Sequence, residues 1–148
     1  MKKKVLRIIN RFNLGGPTYN AAYLTKYLEN DYETLLIGGQ HDKSEESSMH
    51  IIENLGLKPI IISEMQRSIN FKNDKIAFQK IQNIIKDFNP DIVHTHASKA
   101  GAIGRRAAYK SGVKQIYHTF HGHVFHSYFG AIKTNIYKNI ERNLAKKS

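Results

Sequence analysis

Six of the eight histidines in this sequence lie in two short segments, residues 94–96 and 118–126. An imidazole titrates near neutral pH, so a histidine can accept a proton, donate a hydrogen bond or bind a metal ion. Each segment lies in, or directly follows, a short run of β-branched and aromatic residues. Such runs are typical of buried strands, and we therefore expect both segments at strand ends.

His121 is the candidate catalytic residue, because it follows the second run directly and is flanked by Gly122. At that position it could hydrogen-bond a substrate hydroxyl or act as a general base near neutral pH. Gly122 and His123 are predicted substrate contacts in the same loop, although His123 could equally pack against neighbouring aromatic residues. His118 lies inside the run and is expected in the core.

The histidines do not match a usual metal site. Zinc takes three or four fixed ligands, and the sequence near His94 and His96 supplies no acidic residue beyond Asp91. Histidines in the 118–123 loop would lack the outer hydrogen bonds that fix ligand geometry. We therefore predict no metal. His94 is expected to be a hydrogen-bonded core histidine, and His96, at the strand tip, to contact the cleft and bind substrate.

Two further segments are candidates for binding an anion at a helix N-terminus. Gly15 and Gly16 follow the first apolar run and precede Pro17, which suits the first turn of a helix. Ser98 and Lys99 open a later helix, and backbone amides beside a lysine fit a phosphate group. Alternatively, the glycines only make a tight turn and Lys99 is solvated. Neither the dinucleotide fingerprint nor a P-loop is present, so no cofactor is predicted.

Short apolar runs alternating with amphipathic stretches provide the elements that must position these residues. Five strands are predicted, at residues 4–10, 32–37, 59–63, 91–96 and 115–120. Five helices are predicted, at residues 17–30, 48–55, 74–88, 98–111 and 132–147. Asn73 or Asp74 is expected to cap the third helix, and Asn89-Pro90 to end it.

Strands separated by helices predict right-handed crossovers and a mainly parallel sheet. We therefore expect an α/β, Rossmann-like, doubly wound domain with five or more strands in the order 3-2-1-4-5. In that order the ends of strands 1, 4 and 5 are neighbours, and ligands of such folds bind beyond the carboxyl ends of the strands. The glycine pair and both histidine segments then share one rim.

Composition limits the remaining possibilities. The chain has 148 residues, 41% of them hydrophobic, which is enough for one domain with a real core. It has no cysteine and no long apolar run, so a cytoplasmic location is predicted. The net charge of +11 is uneven: residues 97–148 contain ten lysines and arginines and a single acid, Glu141. This asymmetry predicts an anionic partner.

Together these segments resemble the N-terminal half of glycosyltransferase family 4 enzymes, which have the two-domain GT-B architecture. The matching stretches are Gly15-Gly16, residues 90–105 (PDIVHTHASKAGAIGR), residues 118–126 (HTFHGHVFH) and, more weakly, residues 140–145 (IERNLA). The similarity covers nearly the whole chain. The middle stretches are fairly specific to a branch of the family that acts in bacterial surface-polysaccharide assembly.

The resemblance implies transfer of a sugar from a nucleotide-sugar donor to a saccharide acceptor, with retention of configuration and without an essential metal. It places Gly15 and Gly16 beside the donor phosphates and the acceptor, and His121 at the donor sugar. The acceptor is expected to be lipid-linked, at the inner face of the plasma membrane. Acceptor contacts by His96 and Lys99 are predicted from their position alone.

The family's donor-binding domain would follow this segment and is expected to be absent from residues 1–148, so this chain alone is expected to be inactive. An alternative is a non-catalytic basic module that docks on an anionic membrane or on nucleic acid. No RNA- or DNA-reading motif is present, so nucleic acid is not a predicted partner. A metal-dependent hydrolase built on the histidines is a minor third possibility.

Overall fold

Five parallel strands form the central sheet of the computed structural model, which describes residues 1–122 and 131–148. Their order is β3-β2-β1-β4-β5. The strands are β1 (Lys3–Arg11), β2 (Tyr32–Gly39), β3 (Ile60–Ile61), β4 (Ile92–His96) and β5 (Gln115–Thr119). All four pairings are parallel, which confirms the predicted Rossmann-like order.

Helices connect the strands and cover both faces of the sheet. They are α1 (Gly16–Tyr27), α2 (Met49–Asn54), α3 (Phe71–Phe88), α4 (Ser98–Lys110) and α5 (Ala131–Ala145). Leu6, Ile8 and Val93 point to one face, into a core shared with α3 and α4. Ile9 and Leu36 point to the other face, into a second core shared with α1 and α2. The doubly wound arrangement is therefore confirmed.

Two element boundaries differ from the sequence-based expectation. α3 begins earlier than predicted, because Asn70, not Asn73 or Asp74, caps it: its side chain accepts a hydrogen bond from the Asn73 amide at 3.1 Å. β2 continues through Gly38 and Gly39, two residues beyond its predicted end at residue 37. A Cβ on Gly39 would collide with backbone atoms of Met65, so glycine here lets that segment pass close to the strand.

Two glycines on α4 bring this helix close to the sheet, as glycines within a helix predict because they lack a side chain. A Cβ on Gly104 would lie 2.8 Å from Thr95 Cγ2 and 3.0 Å from Ile8 Cδ1. At Gly101, a Cβ would lie within 3.0 Å of both ring nitrogens of His118. These contacts fix the height of α4 above β4 and β5, and with it the position of the loops at its N-terminus.

The sequence predicts that Arg105 and Arg106 both lie on the surface of α4, and the structure corrects this for Arg105. Arg106 is exposed, but Arg105 is only 2% exposed. Arg105 Nε donates to the Gly101 carbonyl at 3.0 Å, and Nη2 pairs with Glu141 on α5 at 2.5 Å. The buried ion pair therefore ties α5 to α4.

The spacing of Ile136, Ile140 and Leu144 predicts an apolar stripe on α5 that packs against the sheet, but this stripe packs less completely than expected. Leu144 is buried, but Ile136 and Ile140 are 54% and 42% exposed. No helix in the described residues is both long enough and apolar enough to cross a membrane.

Candidate functional site

The carboxyl ends of β1, β4 and β5 meet at one edge of the sheet, called the rim below. Ile9 of β1 pairs with His96 of β4, and His96 pairs with Thr119 of β5. The Ala97 amide then donates to the Thr119 carbonyl at 3.0 Å, which holds the last two strand ends together. Parallel strands thus bring the loops that follow them to one place, as the fold predicted.

The glycine loop after β1 is open to solvent at the rim. Gly16 is exposed, and a Cβ placed on it would meet no atom within 4 Å. Buried Thr18 holds this loop in place: it is 1% exposed, and its hydroxyl donates to the Asn13 carbonyl at 2.8 Å. The Thr18 amide also donates to the Gly15 carbonyl at 3.1 Å. The open surface leaves room for a ligand to approach the first amides of α1.

Three imidazoles, those of His94, His96 and His121, form a stack that we call the histidine column. The ring centroids of His94 and His96 are 4.1 Å apart, and those of His96 and His121 are 5.2 Å apart. His94 Nε2 lies 2.9 Å from the hydroxyl of Thr119, and His96 Nδ1 lies 2.9 Å from His121 Nε2. The column therefore runs from the interior of the sheet to the rim.

Burial changes steeply along the histidine column. His94 is half-buried and hydrogen-bonded, in line with the expectation. His96, which we expected to touch the cleft itself, is 0% exposed and reaches the rim only through His121. His121 is exposed at the tip, with a backbone φ of 57°. The predicted catalytic residue is thus the accessible end of the column.

The histidine column is neutral at physiological pH. Burial is the main cause that lowers the pKa of His94 to about 4 and that of His96 to about 2, and nearby positive charge adds to the effect. Burial also lowers the pKa of His121. Neutral imidazoles donate through one nitrogen and accept through the other, so the column acts through hydrogen bonds and not as a cation.

Arg7 is a site-adjacent residue that the sequence reasoning missed. It is 3% exposed on β1 and pairs in register with His94. Burial lowers its pKa to about 10, so it remains charged at neutral pH. In the described residues its Nε and Nη1 have no hydrogen-bond partner. A single charge inside the apolar run of residues 5–9 was the available signal.

Lys99 is turned away from the predicted phosphate position. Its ammonium pairs with Asp74 at 2.6 Å and donates to the carbonyls of Gln66 at 2.9 Å and Ser68 at 2.6 Å. Two of the three ammonium donors are taken by these carbonyls, and the Asp74 carboxylate balances the charge as an ion pair. Lys99 therefore fastens the segment before α3 to α4 in this structure, while Ser98, half-buried, begins α4 at the rim.

The other predicted site residues differ in what the structure describes. His118 is half-buried on the opposite face, with Nδ1 2.9 Å from the Thr95 hydroxyl, as expected of a core histidine. Gly122 is exposed beside His121. His123 lies outside the described residues, and its predicted contact with substrate stays a prediction.

In the part of the chain that the structure describes, no group of three or more potential metal ligands lies together. Two nitrogens bound tetrahedrally to one zinc ion lie about 3.3 Å apart. His96 Nδ1 and His121 Nε2, at 2.9 Å, are instead within direct hydrogen-bond distance.

Comparison with known proteins gives consistent matches. The sequence profile of Glycosyltransferase Family 4 matches residues 14–148. A segment of 90 residues is 33% identical to the UDP-Gal:alpha-D-GlcNAc-diphosphoundecaprenol alpha-1,3-galactosyltransferase of Escherichia coli. That segment is 61% of this chain and 23% of the relative, so the match covers about a quarter of that enzyme.

Solved structures share the fold at lower sequence identity. The UDP-GlcNAc 2-epimerase of Methanocaldococcus jannaschii matches with a TM-score of 0.66 at 15% identity, over 97% of this chain and 43% of that one. MurG of Acinetobacter baumannii matches with a TM-score of 0.62 at 13% identity, over 99% of this chain and 39% of that one. The chain therefore corresponds to less than half of each of these structures.

Proposed function

This chain belongs to glycosyltransferase family 4, and from that premise we propose that it is the acceptor-side domain of a retaining sugar-transfer enzyme. The donor is a nucleotide sugar, held mainly by a second domain outside residues 1–148. The acceptor is a lipid-linked saccharide used in surface-polysaccharide synthesis. The observation that carries the proposal is the rim, where a neutral histidine column ends at exposed His121 on the same sheet edge as the open Gly16 loop.

This geometry supports catalysis by positioning and electrostatics. Glycosyl transfer from a nucleotide sugar releases a diphosphate, and negative charge develops on its oxygens in the transition state. The amides at the start of α1 and a hydrogen bond from His121 could stabilise that charge without a metal ion. Holding donor and acceptor together across the rim supplies the remaining advantage.

The acceptor class is inferred from the curated relative. The name of that Escherichia coli enzyme specifies a UDP-galactose donor and a GlcNAc-diphosphoundecaprenol acceptor. A membrane-embedded acceptor of this kind would require a peripheral position at the inner face of the plasma membrane. The basic C-terminal third of the chain suits such an anionic surface.

A titration followed by NMR tests the site assignment. Adding UDP-galactose or a short-chain GlcNAc-pyrophosphate lipid should shift the amide signals of Gly15, Gly16 and His121. Gly16→Val should weaken this binding at least about tenfold, because the new side chain covers the amides at an open position. Ser111→Val is the matched control, because Ser111 lies at the C-terminal end of α4, away from the rim. Shifts confined to residues away from the rim would contradict the proposal.

A second candidate function, a basic module that docks on an anionic membrane, is favoured by one observation on α5. Ile136 and Ile140 are exposed, and Lys138 and Arg142 are exposed on the same helix. An exposed apolar stripe beside basic residues is typical of helices that lie in a membrane interface. This docking is compatible with sugar transfer and would bring the rim to a lipid-linked acceptor.

A further inference from the structure

We propose that His96 is a positioning residue that fixes the proton of His121. In this arrangement His96 Nδ1–H donates to His121 Nε2, and the proton of His121 is held on Nδ1. His121 then offers a hydrogen-bond donor at the rim, and not a base. The inference concerns the site of the proposed sugar transfer, but the proton arrangement itself does not depend on that function.

The contact between the two rings is well defined by the fold. His96 Nδ1 and His121 Nε2 are 2.9 Å apart, and the rings are nearly parallel, with an interplanar angle of 28°. His96 is fully buried at the end of β4, so its ring cannot swing into solvent. His121 adopts a left-handed backbone conformation, with φ of 57°, that few residues other than glycine adopt. Such a conformation persists only where its surroundings hold it in place.

A hydrogen bond between two neutral imidazoles contains one proton, so two arrangements are possible. If His121 donated, His96 Nδ1 would have to accept, and the proton of His96 would sit on Nε2. In the described residues His96 Nε2 is buried and has no hydrogen-bond partner. A buried N–H without an acceptor is among the rarest features of folded proteins, and buried acceptors without a donor are less so. The second arrangement, with His96 donating from Nδ1, avoids that buried N–H.

The charge beside the column favours the same arrangement. Arg7 lies on the same face one row further from the rim, since it pairs with His94 while Ile9 pairs with His96. Its positive charge acts on His96 and contributes to the lowered pKa. A buried cation disfavours a further N–H dipole in its neighbourhood and favours a bare nitrogen.

The consequence for the rim is chemical. With Nε2 occupied as an acceptor, His121 has Nδ1–H as its free group. That group can donate to a sugar hydroxyl oxygen or to an oxygen of a leaving diphosphate, but it cannot remove a proton from the acceptor hydroxyl. The general-base role considered for His121 would then fall to another group.

The tautomer can be measured directly on the unmodified chain. In a protein labelled with ¹⁵N-histidine, two-bond proton–nitrogen correlation spectra at pH 8 distinguish a protonated from a bare ring nitrogen. We expect His121 to show a protonated Nδ1 and a bare Nε2, and His96 to show a protonated Nδ1. A protonated Nε2 on His121 would overturn the proposal. No donor or acceptor is present, so the result is independent of sugar transfer.

Two variants separate positioning from packing. In His96→Asn the side-chain amide can replace Nδ1–H as the donor, whereas His96→Leu keeps an apolar volume without a donor. We expect His121 to keep its Nδ1 proton in the Asn variant and to lose that preference in the Leu variant. In an enzyme that also contains a donor-binding domain, His96→Leu should lower kcat about tenfold, and His96→Asn should restore most of it. Equal loss in both variants would indicate packing alone and overturn the positioning role.

Discussion

At the scale of single residues, the histidine column shows what local sequence can and cannot predict. The spacing of His94 and His96 predicted that both rings share one face of β4. The strand order brought His121 to the same rim. That His121 covers His96 depends on a tertiary contact across twenty-five residues, which no local pattern encodes. The side-chain position of Lys99, away from the predicted phosphate, also depends on tertiary contacts, because its partners come from residues 66–74.

The half-buried histidines His94 and His118 predict a loss of stability in mild acid. Burial lowers the pKa of His94 and of His118 to about 4, from 6.5. Below pH 6.5 the unfolded chain therefore binds more protons than the folded chain, so stability is full above pH 6.5 and declines toward pH 4. By pH 5 the loss should reach about 1 kcal/mol for each histidine, allowing for partial solvent exposure. Urea unfolding at pH 7, 6 and 5 measures it.

His94→Gln should remove its share of this decline, and His50→Gln, on an exposed position of α2, should leave the decline unchanged. Between pH 6.5 and 5 the carboxylates Asp42, Glu45 and Glu64 contribute little, because their lowered pKa values act below this range. A free energy of unfolding that stays flat from pH 7 to 5 would show that His94 and His118 do not exclude protons as described.

At the scale of elements, the distance at which α4 packs on the sheet decides where the rim loops lie. Gly101 and Gly104 bring α4 against β4 and β5, and the positive φ of Ala97 starts the helix immediately after the strand. The small residues in the sequence 97–104 predicted this close approach. The sequence did not predict that the ring of His118 fills the space over Gly101, because which side chain meets a glycine depends on register between elements.

Gly101→Ala should destabilise the protein by about 2 kcal/mol, because the added methyl group overlaps the His118 ring. The double variant Gly101→Ala, His118→Ala should recover a large part of that loss, since the second change opens the space. Gly16→Ala is the matched control, with no atom near the new methyl group, and should leave stability unchanged or slightly raised. Thermal unfolding of the wild type, the single variants Gly101→Ala and His118→Ala, and the double variant forms a double-mutant cycle, with Gly16→Ala measured beside it. Additive effects at Gly101 and His118 would contradict the contact.

The start of α3 and the packing of α5 also show what an apolar sequence pattern cannot predict. The apolar period of α3 was clear, but its start was placed too late, because Asn70 competes with Asn73 and Asp74 as a cap in a polar stretch. The stripe on α5 was expected to pack along its length, yet only Leu144 is buried among Ile136, Ile140 and Leu144. An amphipathic pattern shows that a helix has an apolar face, but it does not name what covers that face.

At the scale of the whole molecule, the excess of positive charge lies in the same part of the chain as the exposed side chains of Ile136 and Ile140. The single acid among residues 97–148 is Glu141, and it is used internally by Arg105. The remaining basic residues of α5 lack that compensation along the sequence. We therefore propose the C-terminal third as the surface that would contact anionic lipid.

Vesicle co-sedimentation tests this membrane contact. Binding to vesicles with anionic lipid should exceed binding to neutral vesicles and should fall as salt is raised. The double variant Ile136→Ser, Ile140→Ser should reduce binding several-fold without loss of fold, because both side chains are already exposed. Ile60→Ser, at an exposed position on β3, is the matched control. Equal binding to both vesicle types would rule out an electrostatic contact.

The ion pair between Arg105 and Glu141 has a practical consequence for truncated versions of this protein. The guanidinium of Arg105 on α4 is buried, and the carboxylate that neutralises it belongs to Glu141, thirty-six residues later on α5. A fragment cut between β5 and that helix would retain the five strands but lose the carboxylate, so Arg105 would be left without its ionic partner. Shortened versions should therefore extend past Glu141, or replace Arg105 with an apolar side chain of similar volume.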